Sequence, residues 1–236
     1  PFFSRNFASD SHSCQNDKGT HRALKRFEKF SNLVSQNNTK QCFILKCDIK
    51  KFFATIDHEV LKQILKRYIP NQNIIWLMNQ IISSFHSNMS RRNLDIGLPL
   101  GNLTSQLLVN IYMNEFDQFV KHRLKAKYYI RYADDFVFLS NNYEHLSHIH
   151  DSVNEFLEQK LKLSLHPDKV FIKTLSSGID FLGWVHFPHH RVLRIVTKRR
   201  MFKNLSTCEV DKLPVVKASY LGILKWGNAY KIMKNL

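Results

Sequence analysis

Acidic side chains are scarce in this chain. Its 236 residues carry 19 Asp and Glu against 35 Lys and Arg, a formal net charge of +16. Such a surface suits a polyanionic partner, most simply nucleic acid. No apolar run reaches transmembrane length, and no signal-peptide pattern opens the chain. No helix pairs a basic face with a clean lipid-facing side, so no membrane partner is expected and the location is read as cytoplasmic. The four cysteines, Cys14, Cys42, Cys47 and Cys208, form no CxxC pair. Cys42 and Cys47 share one apolar run and read as small hydrophobes in a reducing compartment. Internal repeats and low-complexity tracts are missing too. The chain opens on Pro1 rather than Met, as a processed or partial polypeptide would. What is present is 44% hydrophobic residues, enough for the core of one or two domains.

Periodicity divides the chain. Residues 1–20 mix aromatics with Ser, Asn, Asp and Gly and read as irregular; a helix is expected over 20–33 and a polar loop over 34–40. The run 42–48 reads as a buried strand ending in Asp48. Asp57 is placed to cap a helix reaching Tyr68, ahead of Pro70, and a second apolar helix is expected over 73–85. A basic surface loop over 87–95 leads into a tight turn punctuated by Gly97, Pro99 and Gly101. Leu108, Ile111, Tyr112, Phe116 and Phe119 recur at helical spacing in a long helix over 104–122. Another helix over 145–161 carries Ile149, Val153, Phe156 and Leu157 on one side. Short strands are expected at 171–173 and 181–187, then a basic tail, helical in pieces, from 197. This alternation suggests an α+β sheet layered on helices.

Chemistry concentrates in Tyr132-Ala133-Asp134-Asp135. Strands over 128–132 and 136–140, rich in Tyr, Ile, Val and Phe, flank an acidic corner and fit a β-hairpin. Adjacent carboxylates at such a tip are either a solvated turn or a place where cations relieve their repulsion. Asp48, ending its own apolar run, is either a cap or a third member of the group. If the two elements are neighbouring strands, three carboxylates converge on one edge, the ligand set of a two-metal phosphoryl-transfer site.

Five runs, in order, resemble reverse transcriptases over almost the whole chain. They are LKCDIKKFFATIDHEVL (45–61), GLPLGNLTSQLLVNIYMNEFD (97–117), YADD (132–135), LSLHPDKV (163–170) and FLGW (181–184). The resemblance implies a right-hand polymerase fold of α+β class, with an antiparallel palm sheet backed by helices over 41–187. An inserted fingers segment would cover 71–100, partial fingers 1–40, and a helical thumb 188–236. It also implies an RNA-directed DNA polymerase that uses an RNA template, a DNA or RNA primer, dNTPs and two Mg²⁺ ions, for which Mn²⁺ can substitute.

Carried onto this sequence, the family pattern makes Asp48, Asp134 and Asp135 the metal-binding carboxylates, with the Ile49 carbonyl as a backbone ligand. Phe53 falls at the family's sugar gate, where a ring would clash with a 2′-hydroxyl; Phe52 or Phe53 is alternatively core. Lys169 falls near the leaving phosphates, as proton donor or counter-charge, and is otherwise an ordinary surface lysine. Leu100, Gly101, Ser105 and Gln106 are expected near the nucleotide and template, although Ser105 and Gln106 also suit the first turn of a helix. Leu182, Gly183 and Trp184 fall in the primer-grip region. Lys198, Arg199, Arg200 and Lys203, with Arg91 and Arg92 on the finger side, supply sequence-independent phosphate contacts. Tyr220 and Trp226 either pack the thumb core, the preferred reading, or touch the primer.

One departure points to a branch. Many family members carry Pro-Gln-Gly and Ser-Pro where this chain has Pro99-Leu100-Gly101 and Ser105-Gln106. PLGNLTSQ resembles the reverse transcriptases of diversity-generating retroelements, as do 17–30 and 219–232. Group II intron and retron enzymes share the palm, and a non-catalytic, maturase-like RNA-binding protein is the alternative outside enzymes. A small basic accessory protein is a further candidate partner.

Overall fold

The computed structural model describes residues 3–85 and 95–234. In chain order come α1 (Thr20–Val34), β1 (Phe43–Asp48), α2 (Phe52–Thr55), α3 (His58–Tyr68), α4 (Gln72–Ser83), α5 (Leu103–Gln118), β2 (Tyr129–Tyr132), β3 (Asp135–Ser140), α6 (Tyr143–Leu161) and β4 (Phe171–Thr174). A second group follows: β5 (Ile179–Phe181), β6 (Trp184–His186), β7 (Arg191–Leu193), α7 (Ile195–Thr207), α8 (Leu213–Leu224) and α9 (Tyr230–Lys234). The fold is α+β, with antiparallel sheets flanked by helices, as a palm-type polymerase requires. Among the described residues no helix is long and apolar enough to cross a membrane.

Helix boundaries follow local chemistry. The Asp57 carboxylate accepts from the Val60 N–H at 2.9 Å and starts α3. Ile69, pushed to extended backbone because Pro70 follows, stops it. Asn71 and Asn142 cap α4 and α6 in the same way.

The main sheet has strand order β2-β3-β1-β4 and is antiparallel throughout. Alternate side chains leave on opposite faces. Leu45, Cys47, Tyr129, Phe136 and Phe138 pack with α3, α5 and α6 in one core. Ile44, Ile130, Val137 and Leu139 pack on the other side with Ala23, Phe27 and Phe30 of α1. Covered on both faces, the central strands carry continuous apolar runs. Cys42 and Cys47 are buried as expected, and burial pushes the Cys42 thiol up to about 12 and the Cys47 thiol higher.

Three expectations are revised. The run 181–187 is not one strand: Leu182 (φ 52°) and Gly183 (φ 83°) turn the chain back between β5 and β6. Two successive positive φ values match a tight hairpin turn, and the glycine within an apolar run was the signal. β7 was not anticipated; it completes the second sheet, order β5-β6-β7. The long central helix leaves α geometry at Gln118 and continues as a π-helical turn over Phe119–Arg123. The loop expected over 87–95 lies, save Asp95, outside the described residues.

A candidate active site at the carboxylate edge

Asp48 ends β1, Asp135 begins β3, and the two are direct antiparallel partners. Asp134 sits in the two-residue turn beside Ala133, whose φ of 55° is left-handed. The Ile49 N–H donates to the Asp134 carbonyl at 3.2 Å and ties the turn to the end of β1. Thus the backbone brings Asp48, Asp134, Asp135 and Ile49 to one edge. The Ile49 side chain itself is buried.

The side chains at this edge are held by lysines. Lys169 Nζ lies 3.1 and 3.2 Å from the two Asp48 carboxylate oxygens. Its loop is docked by hydrogen bonds from the His166 N–H to the Asp48 carbonyl and from the Lys50 N–H to the Ser164 carbonyl. Lys46 Nζ lies 3.4 Å from Asp135 Oδ2 and donates to the Asp180 carbonyl at 2.7 Å. Burial, then the neighbouring Asp48, raises the Asp134 carboxyl above the usual range. Burial likewise raises Asp135 to about 7; Lys46 opposes the shift, and Asp48 and Asp134 add to it. Asp135 Oδ1 is buried and has no hydrogen-bond partner among the described residues.

A divalent ion fits this chemistry, since it would relieve the crowded carboxylates and occupy the orphaned oxygen. Among the described residues, however, no three His, Cys, Asp or Glu side chains converge closely enough to enclose an ion. The donor set is open.

Other expected site residues distribute unevenly. Phe52 is buried and Phe53 half-buried, with ring centroids 5.5 Å apart in an edge contact. Phe53 packs, partly buried, against the same core that encloses Phe52. The Phe53 carbonyl accepts from the Leu98 N–H at 2.7 Å, drawing the 97–101 turn alongside. Leu100 there is 77% exposed, and Gly101 has φ 89°. Gln106 is half-buried, but Ser105 is buried. Ser105 is corrected to a packing position, because the first turn of α5 rotates it toward the core. Leu182 and Gly183 form the β5–β6 turn, half-buried. Trp184 is corrected as well. It is buried with Leu24, Met201 and Leu224, because β6 directs it under the C-terminal helices. A Cβ on Gly227 would stand 2.0 Å from its ring, so the two fit only with glycine. Tyr220 and Trp226 pack around this cluster as expected. Lys198, Arg199, Arg200 and Lys203 are exposed on α7. Arg91 and Arg92 lie outside the described residues.

Sequence reasoning missed the support beneath the turn. Arg131 and Asp117 are both buried and form a two-pronged ion pair, with Nε to Oδ1 at 2.9 Å and Nη2 to Oδ2 at 2.6 Å. The Tyr129 hydroxyl donates to Asp117 at 2.8 Å, and Arg131 Nη1 donates to the Ala133 carbonyl at 3.1 Å. One available signal was Arg131 itself, a charge inside an apolar strand that demands a partner.

The profile for reverse transcriptase (RNA-dependent DNA polymerase) matches residues 5–186. The chain belongs to the reverse transcriptase family. Protein YkfC of Escherichia coli is 25% identical to this reverse transcriptase domain over 257 residues, covering 95% of the chain and 65% of YkfC. The group II intron-encoded protein LtrA of Lactococcus lactis is 24% identical, covering 75% of the chain and 39% of LtrA. The domain thus spans less than two thirds of either relative. Among solved structures, telomerase from Candida albicans with a fragment of telomeric RNA superposes at TM-score 0.62 and 14% identity, covering 94% of the chain and 43% of the telomerase. Truncated apo telomerase from Candida tropicalis gives 0.60 at 16% identity, over 78% and 41%. These likenesses show the fold.

Two buried histidines give the reverse transcriptase domain a measurable acid response. His186 lies against the Phe27 ring at 4.4 Å and is lowered by burial to about 4; His12, buried with neither ring nitrogen hydrogen-bonded among the described residues, is also lowered by burial to about 4. Unfolding frees each to an ordinary value near 6.5. The unfolded state therefore binds more protons between about pH 6.5 and 4. Stability from these groups is full above that window and lost as pH falls through it. Asp135 acts in the opposite sense, so the wild-type profile sums the two. The difference between wild type and His186→Gln in urea midpoints isolates the histidine. The variant is expected to lose less stability between pH 7 and pH 4.5. Parallel profiles would refute the assignment.

Proposed function

We propose that this chain is the polymerising part of an RNA-directed DNA polymerase that copies an RNA template into cDNA from a DNA or RNA primer and dNTPs. The register that sets Asp48 opposite Asp135, with Asp134 in the adjoining turn, carries this reading. Asp48, Asp134, Asp135 and the Ile49 carbonyl would hold Mg²⁺ or Mn²⁺. When bound, two such ions activate the primer 3′-hydroxyl and neutralise the triphosphate. Lys169, which pairs with Asp48, would serve the leaving phosphates as counter-charge or proton donor. Half-buried Phe53 closes the site to a 2′-hydroxyl. The exposed cations of α7 track the duplex backbone without reading sequence.

The test is extension of a primer annealed to an RNA template, with dNTPs and NTPs compared. Metal-dependent incorporation of dNTPs alone is expected. Retained duplex binding without extension would favour a non-catalytic, maturase-like role.

The branch proposed is that of diversity-generating retroelements, on the strength of Leu100. An aliphatic side chain there offers the nascent pair no hydrogen bond, and looser restraint weakens discrimination against mismatches. Leu100→Gln is expected to reduce misincorporation opposite template adenine severalfold, read by sequencing the cDNA. Equal error rates would sink the branch assignment. Similarity to LtrA favours the second reading, a group II intron-type enzyme.

A further inference from the structure

We infer that a cleft remote from the carboxylate edge binds single-stranded RNA. The cleft measures about 610 Å³ and lies between α1, the β6–β7 turn and the α8–α9 connection. Its position is set by the strands. The Asn38 side-chain amide donates to the Pro188 carbonyl at 3.0 Å, tethering the β6–β7 turn to the chain just before β1. Asp48 ends β1, five residues after the strand's first residue Phe43, about 17 Å along the strand at ~3.3 Å per residue. The β5–β6 turn of Leu182 and Gly183 lies at the other end of the second sheet. Among the described residues none of the acidic edge lines the cleft, and the Leu182–Gly183 turn sits at the opposite end of β6.

Its chemistry selects the ligand. Among the described residues Glu28 is the one acidic side chain lining it, against the cations Arg191 and Lys225, with His189 and His190 exposed beside them. Arg191 already serves the frame, bonding the Trp226 carbonyl and lying 3.8 Å from Glu28. Lys225 and the two histidines face solvent. Flat rings border the space. Phe187 and His190 stack at 4.9 Å and 14°, and Trp226 stacks on His21 at 4.2 Å and 18° with Lys25 Nζ 5.3 Å from its ring. A free lysine beside planar rings matches a strand whose phosphates alternate with exposed bases. An acidic protein segment would use Lys225 and leave the rings idle. A base-paired duplex hides the faces that the rings would meet.

Such binding would let the polymerase hold template RNA away from the segment being copied, and it is measurable without catalysis. The full chain and a double variant, His190→Glu with Lys225→Glu, would be compared for affinity to a short fluorescent single-stranded RNA and to a pre-annealed RNA–DNA duplex. Both substituted side chains are exposed, and Lys225→Gln serves as a milder second variant. The double variant is expected to bind the single strand about fivefold or more weakly, with a salt slope shallower by about 1. Duplex affinity and any extension on the duplex should stay unchanged. An unaltered single-strand affinity overturns the assignment. So does a parallel loss on both probes, or competition by polyglutamate with no binding of RNA. A chain that extends no primer would sink the polymerase reading and leave this comparison intact.

Discussion

Asp134→Asn is expected to lower metal-dependent primer extension by about three orders of magnitude while leaving duplex affinity within about twofold. The substitution keeps the volume of the side chain and removes its charge. The turn should survive, because its geometry rests on backbone contacts: the Ile49 N–H on the Asp134 carbonyl and Arg131 on the Ala133 carbonyl. Burial and the nearby Asp48 already disfavour the ionised form. Its folded pKa is raised, so the charge weakens the native state at neutral pH, and removing it should leave Tm unchanged or slightly higher. Single-turnover extension beside a thermal melt separates the two effects. A variant that extends primers at near wild-type rate would remove Asp134 from the metal-binding set.

Breaking the Arg131–Asp117 pair should be the most destabilising single change in the palm. Asp117→Leu leaves a guanidinium buried without its counter-charge, a loss on the order of 3–5 kcal/mol. It also leaves the Tyr129 hydroxyl without its acceptor. The double variant Asp117→Leu, Arg131→Met removes both charges and should recover much of that stability in urea unfolding. It should not recover extension, because the Ala133 carbonyl loses its donor and the acidic turn its support. Recovery of both together would reduce the pair to a packing role. A loss under ~1 kcal/mol from Asp117→Leu alone would mean that water reaches the site.

Most of this architecture was legible in the residues because local and global signals agree. The cap at Asp57, the stop before Pro70 and the apolar period of α6 each act within a few residues. The convergence of Asp48 with the Asp134-Asp135 corner was conditional on strand adjacency, which no local pattern states; the β1–β3 register supplies it. The misplaced residues share a cause. Trp184 and Ser105 belong to motifs whose family roles suggested contact with nucleic acid, yet their side-chain directions depend on the β6 pleat and the rotation of α5. Arg131, Lys46 and Asp117 went unassigned because a buried charge is understood only through its partner, and Asp117 lies on another element.

The neighbours of β1 carry a consequence for how the chain is made. β1 pairs on one side with β3 and on the other with β4, whose residues follow it by roughly ninety and one hundred and thirty positions. During synthesis the strand bearing Asp48 emerges long before either neighbour exists. Both its edges then offer unpaired backbone groups to any other strand. Pairings this distant in sequence form slowly. The interval before Thr174 leaves the ribosome is therefore the stage at which this protein is most exposed to misassembly, and Lys46, a cation in the middle of that waiting strand, opposes its pairing with a second copy.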